Sequence, residues 1–288
     1  MDWLHGSVED LRAAYARDRK KPIPSWAEWD EIEGEHNPIR ILRHRPPGSD
    51  TNQTLIIYFH GGGWIVGSPE THADITTALS LSAGCELISV DYRLAPEHVA
   101  PAPVLDALRV VKEIQTQTPK GRTSRNIVLC GDSAGGAIAM AVERLAAPTI
   151  RSRILGVCSI YGCFGLLDSA SLRQWGSRED GLDVDCVRRF WTLANVPHTV
   201  SPYAIESLAG PSNIPVYLLI AGRDPLRDDS LALAESLRKV GRPLVIDIVE
   251  SGAHGFLHGV NTSRVANAVL ARMGQWINGL VDGLGNMG

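Results

Sequence analysis

Several features that would point to other functions are missing from this chain of 288 residues. Its 28 lysines and arginines are outnumbered by 32 aspartates and glutamates, for a net charge of −4. There is thus none of the basic excess that phosphate backbones demand, and nucleic acid is not an expected partner. No C-x-x-C pair occurs, and the five cysteines, Cys85, Cys130, Cys158, Cys163 and Cys186, are odd in number. This argues against a disulfide framework or a thiolate zinc site and leaves buried free thiols as the expectation. Histidines other than His60, His254 and His258 show no paired spacing typical of metal ligands, and neither metal nor cofactor is expected. The opening "MDWLHGSVEDLRAAYARDRKK" contains no continuous apolar stretch. Neither signal peptide nor membrane anchor is expected from it, no membrane partner is implied, and the expected location is the cytoplasm. The sequons at Asn52 and Asn261 would matter only if that inference failed. Internal repeats and low-complexity segments are absent too; only the tail "NGLVDGLGNMG" reads as frayed.

What is present suffices for a large core. With 44% hydrophobic and 21% charged residues, the chain can bury its apolar surface without metal or disulfide staples. Residues 7 to 19 carry Val8, Leu11 and Tyr15 at helical spacing before "KPIPSW" breaks the pattern, predicting a short helix outside the main sheet. From residue 54 the pattern changes to apolar runs of strand length: "TLIIYFH" (54–60), "ELISVDY" (86–92), "NIVLC" (126–130), "ILGVCSI" (154–160), "IPVYLLIAG" (214–222) and "PLVIDIVE" (243–250). Continuous runs suit strands covered on both faces, as in a parallel sheet. Between them Val104, Leu108 and Val111, and again Leu233, Leu237 and Val240, recur at helical spacing. Alternating strands and helices predict a single doubly wound α/β domain, mostly parallel, with helices on both faces. The interval 162 to 208 interrupts the alternation and resembles a lid over a site.

One stretch poses a chemical question. "LCGDSAGGAIAM" places Ser133 among glycines directly after the run "NIVLC" and before a helical pattern. Gly131-Asp132-Ser133-Ala134-Gly135 matches G-x-S-x-G in its strand-turn-helix context, where a tight bend exposes the serine at the sheet edge and glycines relieve crowding. On the pentapeptide alone, a serine that merely caps the helix fits equally. "YFHGGGWIVGS" (58–68) then presents several backbone N–H groups after the first core strand, and with the N–H of Ala134 these suit an oxyanion hole. The same segment lacks the Lys-Ser/Thr ending and G-x-G-x-x-G spacing of phosphate loops. His60 beside it reads as orienting the loop rather than as a base.

A serine hydroxyl needs a base, and the base needs an acid to fix its tautomer. Asp224 follows "IPVYLLI" and His254 follows "PLVIDIVE", placing both at carboxyl ends of strands in the order Ser, Asp, His. Asp228 and Asp229 read as N-terminal acids of the next helix, and His258 as a structural residue facing away from the loop.

Taken together, "HGGGW" (60–64), "DYRLAPEH" (91–98), "GDSAGG" (131–136), "DPLRDD" (224–229) and "HGF" (254–256) resemble the hormone-sensitive-lipase-like branch of the α/β-hydrolases, bacterial esterase family IV. The resemblance runs from residue 55 to the C-terminus. It implies an α/β-hydrolase fold, a catalytic triad of Ser133, Asp224 and His254, and an oxyanion hole of Ala134 with Gly62 and Gly63, the pair being drawn from Gly61, Gly62 and Gly63. It implies a small helical cap built from residues 1 to about 38 and about 163 to 208. It also implies hydrolysis of small, short-chain carboxylic esters by a monomer or homodimer. Trp64, Phe164, Trp175, Trp191 and Phe256 are the candidate substrate-lining residues. Deacetylation, lactone opening or amide cleavage with the same triad is an alternative. A ligand receptor on a hydrolase scaffold is the reading of a different class, and the presence of His254 weighs against it.

Overall fold

The computed structural model describes residues 5–33, 37–49, 53–116, 125–177, 182–196 and 201–285. Asn52, parts of the expected cap (1–4, 34–36, 178–181 and 197–200) and the last three residues lie outside them. Eight strands form one sheet: β1 (Ala27–Ile32), β2 (Ile39–His44), β3 (Thr54–Phe59), β4 (Glu86–Val90), β5 (Asn126–Asp132), β6 (Ile154–Ile160), β7 (Val216–Arg223) and β8 (Leu244–Ala253). The helices are α1 (Val8–Arg19), α2 (Ala73–Ala83), α3 (Ala102–Thr116), α4 (Ala134–Leu145), α5 (Pro148–Arg151), α6 (Ala170–Trp175), α7 (Val184–Leu193), α8 (Ile205–Leu208), α9 (Arg227–Lys239) and α10 (Arg264–Gly285). The strand order is β1-β2-β4-β3-β5-β6-β7-β8. From β4 to β8 every pairing is parallel, whereas β1 and β2 are antiparallel to their neighbours.

The six apolar runs fall on the six parallel strands, and in the five inner ones, β3 to β7, the pleat explains why they are apolar throughout. In β3, Leu55, Ile57 and Phe59 join the core shared with α3, α4, α9 and α7. Ile56 and Tyr58 face the opposite core, closed by α2 and α10. A strand wetted on neither face needs no polar positions.

Two readings of the chain ends are corrected. Residues 27–32, assigned from sequence to the cap, form edge strand β1 paired with β2. Its charged, alternating pattern reflects a sheet edge open to solvent: Arg43 of β2 joins Asp30 and Glu86, and Arg40 lies over the Trp29 ring. The tail that reads as frayed instead continues α10 as far as Gly285, because Leu270, Met273 and Ile277 bury one helical stripe in the second core. All five cysteines are buried and none forms a disulfide among the described residues. Among the described residues no helix is long and apolar enough to cross a membrane.

A buried ion pair fixes α4, the helix that starts at the candidate nucleophile. Glu143 and Arg242 have fully buried side chains, and Arg242 donates to Glu143 at 3.1 Å. Arg151 and Ser212 donate to the other carboxylate oxygen at 2.6 and 3.1 Å. Removing one partner of such a pair leaves an uncompensated buried charge. Glu143→Ala should therefore lose about 3–5 kcal/mol of unfolding free energy in a urea titration; a loss below about 1 kcal/mol would show that solvent reaches Arg242.

Candidate active site

Four loops at the carboxyl ends of strands converge here. Ser133 follows β5, the glycine loop follows β3, Asp224 follows β7, and His254 follows β8. This is where an open parallel sheet presents its functional groups.

The turn from β5 into α4 works only with glycine at two places. A Cβ on Gly135 would sit 1.9 Å from the Phe59 carbonyl oxygen, and one on Gly131 would sit 2.3 Å from the Gly135 oxygen. That crowding lets α4 run against β3 and forces Ser133 to φ 53°, ψ −119°, a region side chains rarely occupy. The Ser133 N–H donates to Ile160 at 2.8 Å, which pins the strained residue. Its hydroxyl makes no helix-capping bond. The capping reading is thus replaced by another contact: Ser133 Oγ lies 3.1 Å from His254 Nε2.

His254 Nδ1 in turn lies 2.9 Å from Asp224 Oδ2, while Asp224 Oδ1 accepts the Leu226 N–H at 2.7 Å. With Nδ1–H donating to the carboxylate, Nε2 keeps its lone pair for the serine hydroxyl. Burial lowers the His254 pKa, but the charge and hydrogen bond of fully buried Asp224 outweigh it, so the net shift is upward from 6.5.

The glycine loop shows which N–H groups are spent. Gly61 donates to Asp132 Oδ1 at 2.9 Å and is also 3.3 Å from His72 Nε2. Gly62, at φ 116°, turns its carbonyl inward to accept from Ile65 and Val66 at 3.0 Å each. Gly62 and Gly63 both line the pocket beside Ser133. Ala134 opens α4, where a first-turn N–H has no helical acceptor. Of the three glycines, Gly61 spends its N–H on Asp132, while Gly62 and Gly63 line the pocket. A Cβ on Gly63 would meet the Phe190 ring at 2.5 Å, so α7 presses directly on this loop.

Asp132, the variable residue of G-x-S-x-G, has a role the sequence reading missed. It is buried and accepts the Tyr58 hydroxyl at 2.7 Å as well as the Gly61 N–H. Burial would raise its pKa; His72 and the Tyr58 hydroxyl hold it below the ordinary carboxylate range instead. A buried acid next to a nucleophile requires such partners, and that requirement was the available signal. His60 is stacked on Tyr92 at 4.2 Å, consistent with orienting the loop.

The pocket over these groups has a volume of about 160 Å³, similar to a cavity that admits benzene. Tyr15 and Arg19 of α1 line one part, and Val187, Phe190 and Trp191 of α7 another. Of the five proposed lining aromatics, Trp64 and Trp191 are in place, their rings meeting edge to face at 5.5 Å. Phe164, Trp175 and Phe256 are not among the lining residues, each held elsewhere by tertiary contacts. Asp229 binds the Phe164 N–H at 2.5 Å with the ring folded against Gly162. Arg223 covers Trp175 at 5.1 Å, and Phe256 packs on Tyr161 at 5.9 Å. Asp228 and Asp229 do lie in the first turn of α9; they also bind N–H groups of Ser171, Phe164 and Leu166.

His258 is a further correction. It lines the pocket and packs on His72 at 4.7 Å. His72, Asp132 and His258 place one ligand atom each within 4.8 Å of one another, a donor set that sequence spacing did not suggest because the three are far apart along the chain. Two imidazoles and a carboxylate suit transition metals; here Asp132 Oδ1 accepts from Tyr58 and Gly61, and Oδ2 lies 3.4 Å from His72 Nε2. These contacts tie Asp132 and His72 to the glycine loop, with His258 packed on His72.

A glycine-flanked serine bonded to a His-Asp pair at the edge of a doubly wound sheet marks the α/β-hydrolase class. Comparison with known proteins agrees. The profile of the alpha/beta hydrolase fold family matches residues 56–258. The chain is 32% identical to the esterase LipI of Mycobacterium tuberculosis over 242 residues, 78% of this chain and 73% of that protein. It is also 32% identical to an arylesterase of Saccharolobus solfataricus over 253 residues, 84% of this chain and 80% of that protein. An esterase structure from Pyrobaculum calidifontis superposes with TM-score 0.86 at 28% identity, covering 96% of this chain and 94% of that one. The chain belongs to the hormone-sensitive-lipase-like α/β-hydrolases and is a carboxylic ester hydrolase.

If the approach of α4 to β3 sets the turn, Gly135→Ala should abolish soluble expression or lower the melting midpoint by more than about 5 °C, about 3 kcal/mol for a chain of this length. A variant with near-native melting would show that the turn relaxes freely.

Proposed function

We propose that the chain is a serine carboxylesterase acting on short-chain acyl esters through an acyl-enzyme. The observation that carries this reading is the continuous hydrogen-bonded line from Ser133 through His254 to Asp224, at 3.1 and 2.9 Å. His254 Nε2 takes the Ser133 proton as Oγ attacks the ester carbonyl. The N–H groups of Gly62, Gly63 and Ala134 receive the developing oxyanion. Collapse breaks the bond to the alcohol, which leaves with the proton held by His254. Water, activated by the same histidine, then releases the acid and restores Ser133. Asp224 orients the imidazole and stabilises its charged form without taking the proton. Helix α1 and the insertion around 163–208 act as the cap, and the pocket volume favours small acyl groups.

Hydrolysis of p-nitrophenyl esters from acetate to palmitate tests this. kcat/KM should be highest among the short chains and fall steeply toward palmitate; a flat profile would contradict the short-chain reading. Ser133→Ala should lower kcat by about 10⁴-fold or more, and near-normal turnover in that variant would remove Ser133 from the mechanism.

The direction of the His254 shift sets the pH dependence. The base must be neutral, and its pKa lies above the ordinary 6.5. Activity should therefore rise with pH through an apparent value above 6.5 in kcat/KM, whereas an acid limb below 6.5 would mean that Asp224 does not hold the imidazole.

A further inference from the structure

Helix α1 ends in a cluster of cations, and one is treated differently from its neighbours. Arg12 pairs with Glu97 at 2.7 Å, Arg17 with Asp18 at 3.5 Å and Lys20 with Glu70 at 3.9 Å. Arg19 has no carboxylate within ion-pair distance among the described residues. Its guanidinium instead turns over the Tyr15 ring, 4.9 Å from the centroid, and lines the pocket that holds Ser133 and His254. Nη1 is 3.9 Å from where a Cβ of Gly255 would stand, directly after the histidine.

A basic residue in the last turn of a helix is favoured by the helix dipole alone. Exposed Arg17 already satisfies that preference, so the dipole does not explain why Arg19 folds inward. Nor does a pocket carboxylate reach it among the described residues. Asp132 turns Oδ1 to Tyr58 and Gly61 and Oδ2 to His72, and Asp224 faces His254 and Leu226. Burial and Asp224 dominate the His254 pKa, yet the Arg19 charge also acts on it, in the lowering direction. The guanidinium is thus electrostatically part of the site.

We infer that Arg19 is a substrate-recognition residue and that the preferred substrates are small esters carrying a second, anionic group, a carboxylate, on either the acyl or the alcohol side. A guanidinium offers two parallel N–H donors to a carboxylate, and a partly dehydrated pocket strengthens that bond relative to water. In the reaction proposed above, on which this inference rests, the anion is anchored by Arg19 while the ester carbonyl lies at Ser133.

The test compares matched pairs by pH-stat. Monoethyl succinate against ethyl butyrate places the charge on the acyl side, and 2-acetoxypropanoate against isopropyl acetate places it on the alcohol side. In the wild type, one anionic ester should exceed its neutral match in kcat/KM by about tenfold or more, and added salt should narrow the gap. In Arg19→Gln that ratio should fall about tenfold, and Arg19→Lys should restore part of it. The pair that responds identifies the side. If neutral esters are hydrolysed but neither anionic partner is preferred, or if Arg19→Gln leaves the ratio unchanged, the inference is overturned while the esterase reading stands. If Ser133→Ala retains wild-type turnover of the neutral esters, the underlying mechanism fails, and this inference with it.

Discussion

The contact on which the site depends is the close approach of two backbones, the start of α4 and the end of β3. At Gly135 there is no room even for a methyl group beside the Phe59 carbonyl. Because α4 sits this low on the sheet, the chain leaving β5 must reverse within one residue, and that residue is Ser133. The strain is held by the sheet: β5 lies between β3 and β6, so a hydrogen bond to Ile160 of β6 secures one side of the turn and the glycine loop after β3 lies along the other. Ser133 and the glycine loop are neighbours because their strands are neighbours.

Two buried carboxylates complete that arrangement by opposite means. Asp132 points back to bind Gly61, so the first glycine fixes the loop and the next two remain for substrate. Asp224 lies on the far side and fixes the tautomer and direction of His254. Neither is exposed, so each charge is stabilised by directed hydrogen bonds rather than by water. Above them the glycine loop touches α7 through Phe190, and α1 adds Tyr15 and Arg19. The proposed reacting groups lie at strand ends, while helices α1 and α7 supply part of the pocket wall, so specificity can vary without disturbing the proposed triad geometry.

The parts legible in the sequence were those whose physics is local. A strand covered on both faces must be apolar throughout, and the five such strands, β3 to β7, are readable as runs, as is the partly exposed edge strand β8. The strand-serine-helix turn and the two strand-end residues Asp224 and His254 were readable because their context is a few residues long, and the structure brings their side chains together. Edge strand β1 and its neighbour β2 are not legible, since charges such as Glu31, Arg40 and Arg43 break their apolar pattern and make them look like loops. The loss of Gly61 as a donor, the meeting of His72 with Asp132, and the turning of His258 into the pocket depend on contacts between distant segments. The same limit explains the lining aromatics. Trp64 is carried by the glycine loop and lines the pocket, whereas Phe164, Trp175 and Phe256 sit on segments whose rotation is set by Asp229, Arg223 and Tyr161.

The central claim is that Ser133 Oγ is the nucleophile activated by His254. The most direct measurement is stoichiometric treatment with a serine-directed organophosphate, followed by intact-mass and peptide mass spectrometry alongside residual ester hydrolysis. One adduct per chain on Ser133, with activity falling in proportion to labelling, is the predicted result. Full loss of activity with the adduct on another residue, or complete labelling of Ser133 with hydrolysis retained, would contradict it.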